Sequence, residues 1–353
     1  MNDARPRILI VYTGGTIGMI ENPKTHALEP FNFKHLLDNV PKIKWLDYDM
    51  DHIQFEPPLD SSNISINDWQ KIAATIEKNY TQYDGFVVLH GTDTMAYTAS
   101  ALSFMLQDLA KPVIITGSQL PIGEVRTDGE ENLITALQIA AERTETGDPM
   151  VQEVAILFEN YLWRGNRATK KSASNFNAFK SYNYPALGRI GLRIHYNYDA
   201  LRRIPRDATL RVHYALDSAV MFIDLFPGLT ESTLRHMLAT PNIKGVVLRS
   251  YGAGNAPTAE WFVRSVKQAI ERGLVVVNIT QCVNGGINPR RYATGDSLAS
   301  TGVVNGHDMT TEAAITKLMH LLASGMTIES VKRAMETDLS GEVSMSSRIE
   351  TFD

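Results

Sequence analysis

Two apolar runs, each followed at once by a turn rich in glycine and threonine, constrain the fold of this chain most. The run ILIVY at 8–12 leads into TGGT at 13–16, and the run FVVL at 86–89 leads into HGTDT at 90–94. Short β-branched runs that end at glycine are typical of buried strands in a parallel sheet. Because ligands bind outside the carboxyl ends of such strands, we expect the two turns to bring threonine hydroxyls and one carboxylate to a single region.

Strand-like and helix-like segments alternate along the first half of the chain. Apolar residues recur at helical spacing between 66 and 80, which predicts an amphipathic helix. Further helices are predicted at 95–109 and 131–141, and strands at 113–117 and 154–158. This alternation favours βαβ units and therefore an α/β fold with a mainly parallel, doubly wound sheet.

The alternation is lost from 188 to 215, where arginine and tyrosine are frequent, and then resumes. The later strands are predicted at 220–225, 245–248 and 274–279, and the later helices at 230–238, 258–272, 310–322 and 328–335. A chain of 353 residues exceeds the usual size of one core. We therefore predict a larger N-terminal α/β domain at 1–195, a linker at 196–215 and a smaller C-terminal α/β domain at 216–353.

Composition narrows the classes of partner. The formal net charge is −5 and the pI is near 6.0, which gives no electrostatic footprint for nucleic acid. No run of about 18 apolar residues suggests a membrane span. The single cysteine, Cys282, excludes an internal disulfide and fits a reducing compartment. His90 and His307 lack the spacing of metal ligands. We expect a cytoplasmic protein without nucleic-acid or membrane partners.

Two interpretations of the first turn stay open. Glycine-rich turns cradle phosphates at helix N-termini, but GGTIGM at 14–19 departs from the dinucleotide spacing G-x-G-x-x-G, and Pro23 follows soon after. Alternatively, the glycines let backbone amides approach a substrate carbonyl at which Thr16 points. Such amides form an oxyanion hole.

The second turn precedes a predicted helix, so capping by Thr92 or Asp93 is the alternative to a chemical role. A cap needs one such residue, whereas HGTDT supplies several polar side chains. A threonine hydroxyl is a weak nucleophile that needs a neighbouring base, and a partly desolvated lysine held near a carboxylate can serve. Lys170 and Lys171, in a cation-rich loop after 154–158, are the candidates, with a solvated surface pair as the alternative.

Two further loops carry candidate binding groups. Ser61 and Ser62 precede a predicted helix, where they either cap it or bind a carboxylate at its N-terminus. The glycine-rich loop YGAGN at 251–255 follows the strand at 245–248. It is either a simple turn or a segment that reaches a ligand across a subunit interface.

Several motifs together resemble the bacterial type I, cytoplasmic-type L-asparaginases. They are TGGTIG at 13–18, HGTDTMAYTA at 90–99, KPVIITGSQ at 111–119, RGNR at 164–167 and LRSYGAGNAP at 248–257. The resemblance spans nearly the whole chain apart from 188–215. The first two motifs, present together and in this order, are highly specific.

The resemblance implies hydrolysis of L-asparagine to L-aspartate and ammonia without a metal or organic cofactor. By position, Thr16 resembles the family's nucleophile, with a first attack by water activated by Thr92 as the alternative. The family's second triad corresponds to Thr92, Asp93 and Lys170. The substrate-binding positions implied are Asp60, Ser61, Ser62, Thr92, Asp93, Ser118 and Asn255.

The resemblance also implies how the substrate is held and how the chain assembles. Ser61 and Ser62 fall where the family binds the α-carboxylate, and Asp93 also faces the α-ammonium. Asn255 matches an asparagine that reaches the active site of a neighbouring subunit. A homodimer, or two dimers paired in a homotetramer, is therefore expected.

The chain departs from the family pattern in two places. The family usually carries a tyrosine in the mobile loop after the first threonine, but 19–31 has none, and Thr25 and His26 are the polar groups available there. Periplasmic-type relatives carry a glutamine where this chain has Ser62. These departures leave open the contribution of the loop and the preference between asparagine and glutamine.

Other functions remain as alternatives. One alternative is a glutaminase-asparaginase of broader amide specificity. Glutamine is one methylene longer than asparagine, and a pocket discriminates one methylene by only ~1–3 kcal/mol of transition-state binding. An amino-acid sensor on the same fold is a second alternative, and its regulatory site would use Thr169, Arg249, Tyr251 and Cys282. A dinucleotide-binding protein is the least favoured.

Overall fold

A computed structural model of the chain describes residues 5–21, 28–30, 33, 38–288 and 297–344. The loop in which the family tyrosine is missing falls largely outside these residues. By internal contacts the chain divides into two compact units. The first comprises Met1–Ser181 and Pro185–Tyr214, and the second comprises Tyr182–Tyr184 and Ala215–Asp353.

The first unit is organised around an eight-stranded, mainly parallel sheet. The described strands of the whole first unit, in chain order, are β1 (Arg7–Gly14), β2 (Met19–Glu21), β3 (Leu28–Pro30), β4 (Asp49–Leu59), β5 (Gly85–Leu89), β6 (Leu106–Gln107), β7 (Val113–Thr116), β8 (Val154–Phe158), β9 (Tyr161–Arg164), β10 (Thr169–Lys170), β11 (Phe179–Lys180), β12 (Gly188–Ile190), β13 (Ile194–Tyr196) and β14 (Arg211–Val212). The large sheet has the order β13-β12-β9-β8-β7-β5-β1-β4. The neighbouring strands β4, β1, β5, β7 and β8 pair in parallel, and β9, β12 and β13 are antiparallel additions.

The apolar runs that begin the two turns are neighbouring central strands. β1 and β5 pair directly, with Tyr12 opposite Leu89, and β5 is buried along its whole length. Because both strands run in the same direction, their carboxyl ends lie at the same edge of the sheet. The two turns therefore begin side by side.

In the described part of the first unit, the helices α1 (Ile66–Asn79), α2 (Met95–Met105) and α3 (Gly129–Ala141) flank these strands. At the start of α1, the Ser65 backbone N–H and hydroxyl both donate to the Asp68 carboxylate, at 2.9 and 2.6 Å. Helix α2 is almost entirely buried. It ends at Met105 rather than at the predicted 109, because β6 pairs with β14.

Residues 196–214, predicted to lie in a linker, belong to the first unit. The buried Arg164 and Glu153 form an ion pair of 2.6 Å. Arg164 also donates to the Ala200 carbonyl at 2.8 Å, and Glu153 accepts from the Arg202 amide at 3.0 Å. These contacts give an apparently irregular stretch a fixed path.

The second unit is a smaller α/β body. Its strands are β15 (Val220–Asp224), β16 (Gly245–Ser250), β17 (Val275–Thr280) and β18 (Val304–Asn305), and its helices are α4 (Glu231–Leu238), α5 (Glu260–Glu271), α6 (Thr311–Leu322) and α7 (Ile328–Met335). The sheet order is β15-β16-β17-β18, with every pair parallel. The predicted fold class, a larger unit on a mainly parallel sheet and a smaller α/β unit, is confirmed. Among the described helices, none has both the length and the apolar character to cross a membrane.

Candidate active site

The first turn takes a backbone path that requires glycine. Gly14 and Gly15 have φ values of +135° and +91°, which L side chains rarely adopt. Thr16 then opens a short 3₁₀ turn, Thr16–Gly18, and is half-buried. The hydroxyl of Thr13 donates to the Leu89 carbonyl at 2.8 Å. This bond ties the first turn to the strand that carries the second.

The two threonine turns touch through their glycines. An ideal Cβ placed on Gly15 would lie 2.4 Å from the backbone nitrogen of Gly91. One placed on Gly91 would lie 2.5 Å from the hydroxyl oxygen of Ser61. Such distances exclude any side chain at either position without a shift of the backbone or of Ser61. The segments 13–16, 90–94 and 60–62 therefore converge.

Lys170 joins the two polar side chains of the second turn. Its Nζ donates to Thr92 Oγ1 at 2.8 Å and to Asp93 Oδ1 at 2.6 Å. The Lys170 side chain is 17% exposed, whereas that of Asp93 is 66% exposed. Lys170 lies on β10, which forms a hairpin with β11, so backbone pairing fixes the point from which the lysine reaches the turn.

No side chain of the second turn makes a capping hydrogen bond to helix α2. The N-cap of α2 is Thr94, and its side chain makes no capping bond. Its hydroxyl donates instead to the Ser61 carbonyl, at 2.8 Å. Thr92 and Asp93 thus bind Lys170. Thr94 holds the segment 60–62, called the serine segment below, against the turn.

Among the serine-segment candidates, Ser61 lies against the threonine turns, and Ser62 is engaged locally. The Ser62 amide and hydroxyl both donate to Asp60 Oδ1, at 2.8 and 2.9 Å. Ser61 is buried beside Gly91. The buried Ser118 follows β7, and its hydroxyl donates to the Leu120 carbonyl. Their roles toward substrate stay predictions.

Gln119 is a member of the site that sequence reasoning missed. Its Oε1 accepts from the Thr92 hydroxyl at 3.2 Å, and its Nε2 donates to the Asn175 carbonyl at 3.0 Å. The Asp128 carboxylate accepts a hydrogen bond from the backbone N–H of Gln119, and burial raises the pKa of this aspartate. The signal available was the motif ITGSQ, in which Gln119 directly follows Ser118. A cavity of about 410 Å³ lies beside the Gln119 side chain. It is lined by Gln119, Leu120, Arg126, Ala173, Ser174 and Phe176.

The other candidate residues lie on β10 and in the second unit. Thr169 precedes Lys170 on β10. Arg249, at the end of β16, makes a two-pronged ion pair with Asp224, at 3.0 and 2.6 Å. Tyr251 and Asn255 close a turn by mutual backbone bonds of 2.9 and 2.8 Å. Cys282 is an exposed free thiol. Within the described residues no cluster of three His, Cys, Asp or Glu side chains could hold a metal ion.

Comparison with known proteins places the chain in a class of amidohydrolases. A family model described as "Asparaginase, N-terminal" matches residues 7–202, and one described as "Glutaminase/Asparaginase C-terminal domain" matches 219–335. The chain belongs to the asparaginase family, and the resemblance noted in the sequence is confirmed.

Individual relatives agree over most of the chain. L-asparaginase 1 of Escherichia coli (strain K12) is 43% identical over 95% of this chain and 97% of its own length. A 60 kDa lysophospholipase of Mus musculus is 38% identical over 96% of this chain, which spans 63% of that protein. The crystal structure of L-asparaginase I from Vibrio cholerae superposes with a TM-score of 0.88 at 40% identity, covering 97% of this chain and 100% of that one.

Proposed function

We propose that this chain hydrolyses the side-chain amide of L-asparagine to L-aspartate and ammonia. Family membership and 43% identity to an L-asparaginase 1 support this reaction. The structural observation that carries it is the Lys170 bridge to Thr92 and Asp93, formed where the second threonine turn packs on the first. No cofactor is invoked.

In the proposed reaction Thr16 is the nucleophile. Its hydroxyl oxygen bonds to the amide carbon, ammonia leaves with the proton given up by the hydroxyl, and water then cleaves the ester to release aspartate and regenerate Thr16. The negative charge on the carbonyl oxygen needs preorganised donors. Among the described residues, the backbone N–H groups of Thr16 and Thr92 make no turn or loop hydrogen bond to a backbone carbonyl, which suits them to this role.

Thr92, Lys170 and Asp93 handle the protons. Lys170 exchanges protons with the Thr92 hydroxyl or with a water held by it, and the Asp93 carboxylate stabilises the Lys170 ammonium. A base positioned in this way contributes about 10²- to 10⁴-fold to the rate. Ser61 and Ser62 are proposed to bind the α-carboxylate and Asp93 to face the α-ammonium. Asp60 and Ser118 are proposed as further substrate-binding residues.

Assembly, location and regulation complete the proposal. We infer a cytoplasmic homodimer or homotetramer in which Asn255 serves the active site of a neighbouring subunit, which light scattering can test against the chain mass of 39.2 kDa. Regulation through Thr169, Arg249, Tyr251 and Cys282 stays a prediction. Strictly hyperbolic kinetics over a wide range of asparagine concentration would contradict it.

A coupled ammonia-release assay tests the proposed function. The wild-type protein should turn over L-asparagine with a higher kcat/KM than L-glutamine. Thr16→Ala and Thr92→Ala should each lower kcat by roughly 10³-fold or more while the protein stays folded. Thr75→Ala, which removes a hydroxyl that donates to the Lys71 carbonyl of its own helix, is the matched control. Near-normal turnover in either active-site variant would remove that threonine from the mechanism.

A further inference from the structure

A chain of buried hydrogen bonds runs from helix α1 to the second threonine turn. Trp69 Nε1 lies 2.9 Å from Thr98 Oγ1. The same oxygen lies 2.9 Å from His90 Nε2, and His90 Nδ1 lies 2.7 Å from the carbonyl oxygen of Gly91. Trp69 is 7% exposed, and Thr98 and His90 are fully buried. None of these three side chains has a part in the proposed chemistry.

The direction of every bond in this chain is fixed by chemistry. An indole N–H only donates, so Thr98 accepts from Trp69; in a neutral ring with the proton on Nδ1, His90 Nε2 accepts from the Thr98 hydroxyl. A carbonyl only accepts, so His90 Nδ1 carries the ring proton. Burial lowers the pKa of His90 to about 4, and the ring therefore stays neutral near pH 7. His90 is held as a single tautomer with a single orientation.

The series of hydrogen bonds from Trp69 through His90 ends at a peptide group of the active site. The carbonyl of Gly91 and the N–H of Thr92 belong to the same planar amide, so fixing one fixes the direction of the other. Bonds aligned head to tail also polarise one another. A polarised Gly91 carbonyl makes the Thr92 N–H a stronger donor toward a developing negative charge.

We propose that His90, Thr98 and Trp69 are positioning residues that aim and strengthen the Thr92 amide as an oxyanion donor. The inference rests on the proposed function, in which that amide stabilises the tetrahedral intermediate. The three side chains act through the 91–92 peptide and do not touch the substrate. Their loss should therefore lower kcat while leaving the KM for L-asparagine unchanged.

The central test is Thr98→Val, which keeps the shape of the side chain and removes the hydroxyl. We expect kcat to fall about 10- to 100-fold, less than the 10²- to 10³-fold loss typical when an oxyanion donor is removed altogether. Thr316→Val is the matched control, since Thr316 is also a buried helical threonine but bonds to its own helix in the second unit. It should leave kcat unchanged.

Two further variants separate positioning from packing. Trp69→Phe removes the donor farthest from the peptide and should lower kcat less than Thr98→Val does, although it deletes more side-chain volume. His90→Leu should lower kcat more. His90→Asn should restore part of the loss, because the asparagine Nδ2 can still donate to the Gly91 carbonyl. A loss that follows the volume removed, or an unchanged kcat in folded Thr98→Val, would overturn the proposal.

A readout that does not depend on turnover separates this proposal from the proposed function. In ¹⁵N-histidine-labelled protein at pH 7, NMR should show a protonated Nδ1 and an unprotonated Nε2 at His90. The opposite tautomer would refute the positioning chain even in a fully active enzyme. A wild-type protein without asparaginase turnover would refute the proposed function, and with it the role of the Thr92 amide.

Discussion

At the scale of single residues, Lys170 and Lys171 show how position decides chemistry. The two lysines are adjacent, but the bonds to Thr92 and Asp93 come from Lys170, and Lys171 is exposed. Lys170→Met should lower kcat by about 10²- to 10⁴-fold, the usual effect of removing a general base. Lys171→Met should leave kcat unchanged. Steady-state ammonia release measures both, and equal losses in the two variants would contradict the assignment of the base.

His90 should make the stability of the protein depend on pH. Burial lowers the pKa of His90 from 6.5 to about 4 in the folded state. As pH falls from 7 toward 4, the unfolded chain takes up a proton there before the folded chain does. This difference lowers the free energy of unfolding by about 3 kcal/mol. Urea denaturation at a series of pH values should show the decline in the wild type and a shallower one in His90→Asn. Parallel profiles would contradict the lowered pKa.

The sequence predicted some of these residues and could not predict others. Thr92, Asp93 and Lys170 could be grouped because strand ends in a parallel sheet share an edge and because a threonine nucleophile needs a base. The contact of Gln119 with Thr92 depends on side-chain direction after β7, which no local pattern determines. His90 was grouped with the polar residues of its turn, whereas the fold buries it, since its partners Thr98 and Trp69 lie on two helices.

At the scale of elements, the close approach of the two turns should be more sensitive than their backbone conformation. Gly15 has a φ of +91° and no room for a Cβ beside Gly91, whereas Gly147 has a φ of +84° and open space around it. Alanine at either position strains the backbone by about 1–2 kcal/mol. Gly15→Ala should in addition abolish most turnover, because it separates the threonine turns, while Gly147→Ala should keep it. Thermal unfolding and kcat together distinguish the two effects.

Regular elements were predictable where burial produced a pattern. The strands predicted at 86–89 and 154–158 are confirmed. They could be predicted because residues buried on both faces of a sheet form continuous apolar runs. Helix α7 has the predicted bounds. β4 was missed because it is an edge strand, largely exposed, with acidic residues and Pro57-Pro58 in it. The strands of 188–215 were missed for a related reason. Each is three residues or shorter, too short for any periodicity.

At the scale of the whole molecule, the second unit contains a buried ion pair. Lys317 and Glu342 lie 2.6 Å apart with no side-chain exposure. Lys317 also donates to the Met335 and Thr337 carbonyls, and Glu342 accepts from the Leu339 and Ser340 amides.

Removing one charge of this pair leaves the other buried without compensation, which costs about 3–5 kcal/mol of unfolding free energy. Glu342→Gln should therefore lower the melting temperature clearly. Glu329→Gln, which changes the exposed partner of Lys332, should leave it unchanged. Calorimetry on both variants provides the test, and equal melting temperatures would contradict a stabilising role for the buried pair.

The division of the chain into units has a consequence for the order in which it is made. Tyr182–Tyr184 precedes the last part of the first unit but packs with the second. Asn183 exchanges hydrogen bonds with Gly285, 102 residues further along. During synthesis on the ribosome, Asn183 therefore emerges well before Gly285, its hydrogen-bonding partner in the second unit. A gene fragment that stops near 214 contains Asn183 but lacks Gly285, and one that starts at 215 contains Gly285 but lacks Asn183. Neither unit can be produced whole as one uninterrupted piece of the sequence.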